Sequence, residues 1–160
     1  GALLGPFQTF VTNLLDDALR YALLATLVTL LPRPGAVALA ILVAFLMRGI
    51  ALGGFDPASV GLLPGRIFWL EALLWAVGIT RSTAWLDEGT ALRWLRLGAA
   101  FATASALSAA GDLATQMVLY RLHYAGWYLV AVVAGPGFLY VWAACGIAAG
   151  FAASLREVES

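Results

Sequence analysis

The chain has 160 residues, 62% of them hydrophobic and 11% charged, and its nine arginines balance nine acidic residues with no lysine present. A soluble domain carries roughly 25% charged residues, so this chain lacks the polar side chains to cover a water-facing surface, and its mean hydropathy of +0.91 points to lipid as the main solvent. A net charge of zero gives no basic footprint for nucleic acid, and the single cysteine, Cys145, excludes an internal disulfide and any paired-cysteine metal or redox motif.

Five apolar segments follow one another, each near the length that crosses a bilayer core. The first runs over about Leu14–Leu31 and is stopped by LPRPG (31–35), because two prolines cannot continue a helix. The second covers about Gly35–Leu52, with Arg48 near its far end, and GGFDPASVGLLPG (53–65) reads as a turn-rich loop. The third covers about Pro64–Thr80, and RSTAWLDEGTALR (81–93) is the most polar connection. The fourth starts near Leu92 and extends as far as Arg121, with Gly111-Asp112 as a candidate break. The fifth covers about Gly126–Leu155, where GPG (135–137) is a candidate kink. No strand-like alternation competes. The expected fold is a single all-α domain over 1–160, a polytopic integral membrane helical bundle.

Arginine placement sets the expected orientation. Arg33, Arg81, Arg93, Arg96 and Arg156 fall on one side, against Arg121 in a loop and Arg20, Arg48 and Arg66 set into helix ends on the other, which makes the first side and the C-terminus cytoplasmic. Residues 1–13 then lie outside. Five spans with an external start imply a sixth, missing at the front.

The stretch IFWLEALLWAVGIT (67–80) holds one carboxylate, Glu71, in an otherwise apolar run. A charge at mid-membrane costs about 2.5–3.5 kcal/mol, so it faces an interior or a cavity. Two roles are open to Glu71: a ligand contact, or an ion pair with Arg48 or Arg66. Phe68, Glu71 and Trp75 share a helical face by spacing, and a carboxylate between aromatic rings suits a flat, nitrogen-rich ligand. In the fourth segment Asp112, Gln116 and Tyr120 lie four apart on one face, followed by His123, Tyr124, Trp127 and Tyr128 at the expected outer surface. Tyr124, Trp127 and Tyr128 fit an interfacial belt, and His123 reads as an exposed loop residue. Asn13, Asp16, Asp17 and Arg20 form a third polar patch, in which Asp16 and Arg20 can pair. These patches converge on the outer half of the bundle and describe a pocket open to the outside. Small residues four apart, Ala36, Ala40 and Ala44, and Gly146 with Gly150, allow close helix approach, and the alanine stripe also suits a partner's helix. No nucleophile, metal-ligand or phosphate-loop pattern is present, so the expectation is binding without catalysis, metal or cofactor.

LLPRPGAVALAILVAFLMRGIA (30–51) resembles the membrane S components of energy-coupling-factor vitamin transporters, and among them the type linked to thiamin or its hydroxymethylpyrimidine precursor. Arg33, Pro34, Gly35 and Ala36 resemble the turn that opens a small-residue helix in that type, without its spacer residue between Arg and Pro. LEALLWAV (70–77) resembles a Glu-bearing helix with Glu71 at the matching place. GDLATQMVLY (111–120), Gly126-Trp127 and the Gly/Ala-rich last helix ending before Arg156 resemble the family's tail. The front is short, the 53–65 loop differs, and Asp16, Asp17 and Arg20 have no counterpart. The resemblance implies six helices with both ends inside, an outward-facing vitamin pocket, and small-residue stripes that seat a transmembrane coupling subunit. It implies a plasma-membrane subunit that binds a small heteroaromatic vitamin and works with separate ATPase chains. The expected contacts are Glu71, Phe68, Trp75, Asp112, Gln116 and Trp127, with Ala36, Ala40 and Ala44 against the partner. The alternative is a structural small subunit of a larger membrane complex, respiratory or cell-wall related.

Overall fold

The computed structural model describes residues 18–55 and 57–159, and every regular element among them is helical. Asn13, Asp16 and Asp17, and with them the start of the first segment, lie outside the described residues. Helix α1 spans Ala18–Leu30. Its two threonines turn their hydroxyls back onto the preceding turn, Thr26 to the Ala22 carbonyl (2.9 Å) and Thr29 to that of Ala25 (2.7 Å). Each polar group is thus satisfied without leaving an apolar helix.

LPRPG ends α1 as expected, and Gly35 reverses the chain with φ 85°, a left-handed conformation that a side chain disfavours. Helix α2 spans Ala36–Leu52. It closes on Gly53, also left-handed, with the amides of Gly53 and Gly54 bonded to the carbonyls of Ile50 and Gly49. That pattern caps orphan carbonyls at a helix end. Gly49 is the close-contact position of α2. A Cβ there would lie 1.9 Å from the Phe55 ring, so glycine lets the following turn fold back onto the helix.

Helix α3 spans Pro57–Ala76 and so begins earlier than the sequence suggests. Much of the 53–65 stretch is helix, not loop. Pro57 takes the first helical position, where the missing N–H is not needed, and Pro64 is accommodated inside the helix. The helix ends on Gly78 (φ 84°), where the Gly78 and Ile79 amides bond the carbonyls of Trp75 and Leu74. Ile79 and Leu74 are both fully buried, which is the apolar contact that accompanies this cap. The connection to α4 contains a short helical turn, Ala84–Asp87, and buries Trp85, whose indole N–H donates to the Ile79 carbonyl (2.9 Å).

Helix α4 spans Thr90–Leu119 without a break at Gly111-Asp112, and its 30 residues reach about 45 Å. Helix α5 (Gly126–Ala134), a π-helical turn (Gly135–Tyr140) and α6 (Val141–Glu159) continue one another. GPG is therefore absorbed as a widened turn. Helix α4 is the central element, packed against α3, α5 and α6. Its small residues Ala100, Ala102 and Ala104 are buried beside Leu97 and Phe101, with Leu24, Val28, Leu74, Val141 and Cys145 completing the core from the other helices.

Helices α4 and α6 interlock by exchanging tryptophans for glycines. The Trp94 indole lies 2.9 Å from where a Gly146 Cβ would stand, and Trp142 lies 2.9 Å from that of Gly98. The Trp94 indole N–H also donates to the Trp142 carbonyl (2.8 Å). Gly146 thus seats an aromatic ring from within the chain, while Gly150 is exposed.

Among the described residues, two continuous helices, Thr90–Leu119 and Gly126–Phe151, have the length and apolarity to cross a bilayer, against the five segments expected. Helices α1 and α2 are apolar but shorter, and α3 carries Arg66 and Glu71.

Candidate functional site

A cavity of about 270 Å³ lies between α1, α2, α3 and the middle of α4. Helix α2 contributes Ala40, Ile41, Ala44, Phe45, Arg48, Gly49 and Leu52, which recur at three and four residues and so form one face. Helix α3 presents Leu63, Arg66 and Leu70 by the same spacing, α1 adds Arg20, Tyr21 and Leu24, and α4 adds Ala104 and Ser108. The Phe45 and Phe55 rings stack at 5.2 Å and give the cavity an aromatic wall. Gly49 is what makes room for that stack.

Three arginines line this cavity, and no carboxylate does so among the described residues. Arg66 is held by Asp112 of α4, with its Nη2 2.5 Å from both carboxylate oxygens. Arg66 is about one-third exposed, and its Nε has no hydrogen-bond partner. Arg48 is exposed on the cavity face of α2, with no hydrogen bond or ion pair to any described residue.

The residues expected at the site are placed elsewhere. Glu71 meets neither Arg48 nor Arg66 and does not line the cavity. Its carboxylate accepts from the backbone N–H of Gly35 (3.2 Å) and of Ala38 (3.0 Å) at the start of α2. A carboxylate there satisfies orphan amides and opposes the positive end of the helix dipole. This also puts Glu71 at the end of the bundle that carries the α1–α2 turn, next in sequence to Leu70, which lines the cavity. Phe68 and Trp75 point outward, Phe68 edge-on to Trp69 and Trp75 under the Arg81 guanidinium at 5.3 Å. Asp112 stands behind Arg66. The Gln116 side-chain oxygen accepts from the Tyr124 hydroxyl (2.6 Å), and Tyr124 stacks on Tyr128. Trp127 is 75% exposed, in an aromatic group with Tyr128. The alanine stripe divides: Ala40 and Ala44 line the cavity, whereas Ala36 sits half-buried in the first turn of α2.

Sequence reasoning noted Arg20, Arg48 and Arg66 as charges set into helix ends and as candidate ion-pair partners, Arg20 for Asp16 and Arg48 or Arg66 for Glu71, and did not bring them to one space. The available signal was that all three interrupt apolar segments at similar depth from the same end of an antiparallel bundle.

A second hollow of about 340 Å³ lies near the α3–α4 connection, lined by Gly78, Arg81, Trp85, Glu88 and Arg96 among others. Arg96 ties this region together, donating to the Val77 carbonyl (2.7 Å) and to Glu88 (2.6 Å). Arg93 is buried, with a single contact to the Thr90 hydroxyl. Both arginines therefore serve the interior, and Arg33 and Arg81 remain exposed at this end. The chain matches no family model, no curated protein and no solved structure.

Proposed function

We propose that the chain is the substrate-binding integral membrane subunit of an ATP-driven importer, of the energy-coupling-factor type, for a vitamin-sized organic molecule that carries a ring. The observation that carries this reading is the cavity between α1, α2, α3 and α4, apolar-walled and lined by three arginines. Interior sites of this volume with a few placed polar groups are how helical bundles hold small ligands. Membrane placement is supported by the two long apolar helices and by an exterior rich in exposed Leu, Ile, Val and Trp, including Leu39, Leu46, Ile50, Val118, Val130 and Ile147. A lipid solvent accounts for such a surface, which water would penalise. With Arg33 and Arg81 on the cytoplasmic side, the cavity lies in the outer half, as a receptor for import requires. Coupling and ATPase subunits would be separate chains.

Native mass spectrometry of the detergent-purified protein tests this reading, with identification of any released molecule. One small organic molecule per chain is expected. An empty protein that purifies only as a fixed part of a large complex would overturn it in favour of a structural small subunit.

A further inference from the structure

The cavity's lining specifies the charge of its occupant. We propose that it binds an organic anion, a carboxylate, sulfonate or phosphate attached to an aromatic or apolar body, with the acidic group on Arg48 and Arg66 and the body against Phe45 and Phe55. This rests on the binding reading above and adds the class of ligand.

Arg48 and Arg66 both line the cavity, from α2 and α3, and no Asp or Glu among the described residues shares that lining. Asp112 already engages Arg66 through one nitrogen, Nη2, and leaves its Nε without a partner. Arg48 has no described partner at all. A guanidinium is more weakly hydrated than an ammonium and has five donors to satisfy. An acid group meets that demand with charge-assisted bonds, whereas an amine or a second cation would be repelled. The position of the rings adds a shape requirement. Phe45 precedes Arg48 by three residues on the same face of α2, and its stacked partner Phe55 is pinned over Gly49. A flat body on that wall carries its acid group one helical turn along, at Arg48. Two sources supply such a molecule: a soluble organic acid, or the head of an anionic lipid.

The test uses three probes with one ring and three charges: indoleacetate, indoleacetamide and tryptamine. Affinities are measured by calorimetry at neutral pH on the purified protein in nanodiscs of zwitterionic phosphatidylcholine. Indoleacetate is expected to bind about tenfold more tightly than indoleacetamide, the factor for one charge-assisted hydrogen bond, and tryptamine most weakly. Arg48→Gln is expected to abolish the difference, while Arg48→Lys keeps part of it. Asp112→Asn, which releases Arg66 from its carboxylate, is expected to tighten indoleacetate several-fold. In nanodiscs containing anionic phosphatidylglycerol, loss of indoleacetate binding assigns the site to a lipid head, and unchanged binding assigns it to a soluble acid. Equal affinity for acid and amide, or an acid preference untouched in Arg48→Gln, overturns the proposal. A cationic or neutral molecule released in native mass spectrometry also overturns it, and leaves the binding function standing. No bound molecule and no probe binding overturns both.

Discussion

Glu71 shows how a charge that looks functional is used to build a helix junction. A carboxylate in IFWLEALLWAVGIT has to be stabilised by something, and the partner is a pair of backbone amides from a helix 33 to 36 residues away in sequence. Sequence spacing along α3 cannot reveal that, because the amides carry no residue-type signal. Helix α2 has no capping side chain of its own, since its N-cap is Gly35. The loss of an N-terminal cap costs about 0.5–2 kcal/mol. Glu71→Ala is therefore expected to destabilise the protein by about 1–2 kcal/mol, read as a lower melting temperature of the detergent-solubilised protein, and to leave ligand affinity unchanged. A loss of binding without a loss of stability would return Glu71 to the ligand. The arginines of the cavity illustrate the converse. Arg48 and Arg66 read in the sequence as candidate partners of Glu71, and only the antiparallel arrangement of α2 and α3 puts them on one space.

Among the elements, helix positions were the most legible. The proline stop after α1, the glycine reversals and the long fourth and fifth helices follow from residue chemistry that acts within a few positions. The start of α3 was not legible, because prolines at 57 and 64 suggest interruption, yet one opens the helix and the other is tolerated inside it. Trp85 was hidden for a related reason: it lies in the most polar connection, and its burial depends on a carbonyl at the end of α3. The contact between α4 and α6 combines both kinds of information. Small residues in the last helix predict close packing, but the sequence does not say that Gly146 and Gly98 each receive an indole. A methyl group at either position meets ring atoms at 2.9 Å, and overpacking of this kind costs about 1–3 kcal/mol. Gly146→Ala is expected to lower thermal stability by that amount and to shift the Trp fluorescence. An unperturbed melting temperature and spectrum would show that α4 and α6 separate easily.

For the whole molecule, the distribution of polar groups separates two ends. One holds the α1–α2 turn, Glu71, the α3–α4 connection and the network around Arg96. The other half holds the cavity and, beyond it, the aromatic group of Tyr124, Trp127 and Tyr128. Arg93 and Arg96 have internal roles, so the orientation proposed above sets the exposed Arg33 and Arg81 at one end against Arg121, with Arg20 and Arg48 of the cavity, at the other. Cysteine labelling tests it without prior removal of the native thiol, because Cys145 is fully buried. Leu122→Cys is expected to react with a membrane-impermeant maleimide on intact cells, and Ser82→Cys only after permeabilisation. The opposite pattern would put the cavity on the cytoplasmic side and remove the case for import.

The π-helical turn at Gly135–Tyr140 bears on both halves of the bundle. A turn of this kind holds one residue more than an α-turn, and one residue of an α-helix corresponds to about 100° of rotation. The stretch from Gly126 to Phe151 is a single rod of 26 residues, yet its two halves are out of phase with each other. The first half presents Trp127 and Tyr128 to the aromatic group, and the second presents Trp142 and Gly146 to α4. The widened turn acts as a clutch, and lets one uninterrupted helix be indexed separately at its two ends.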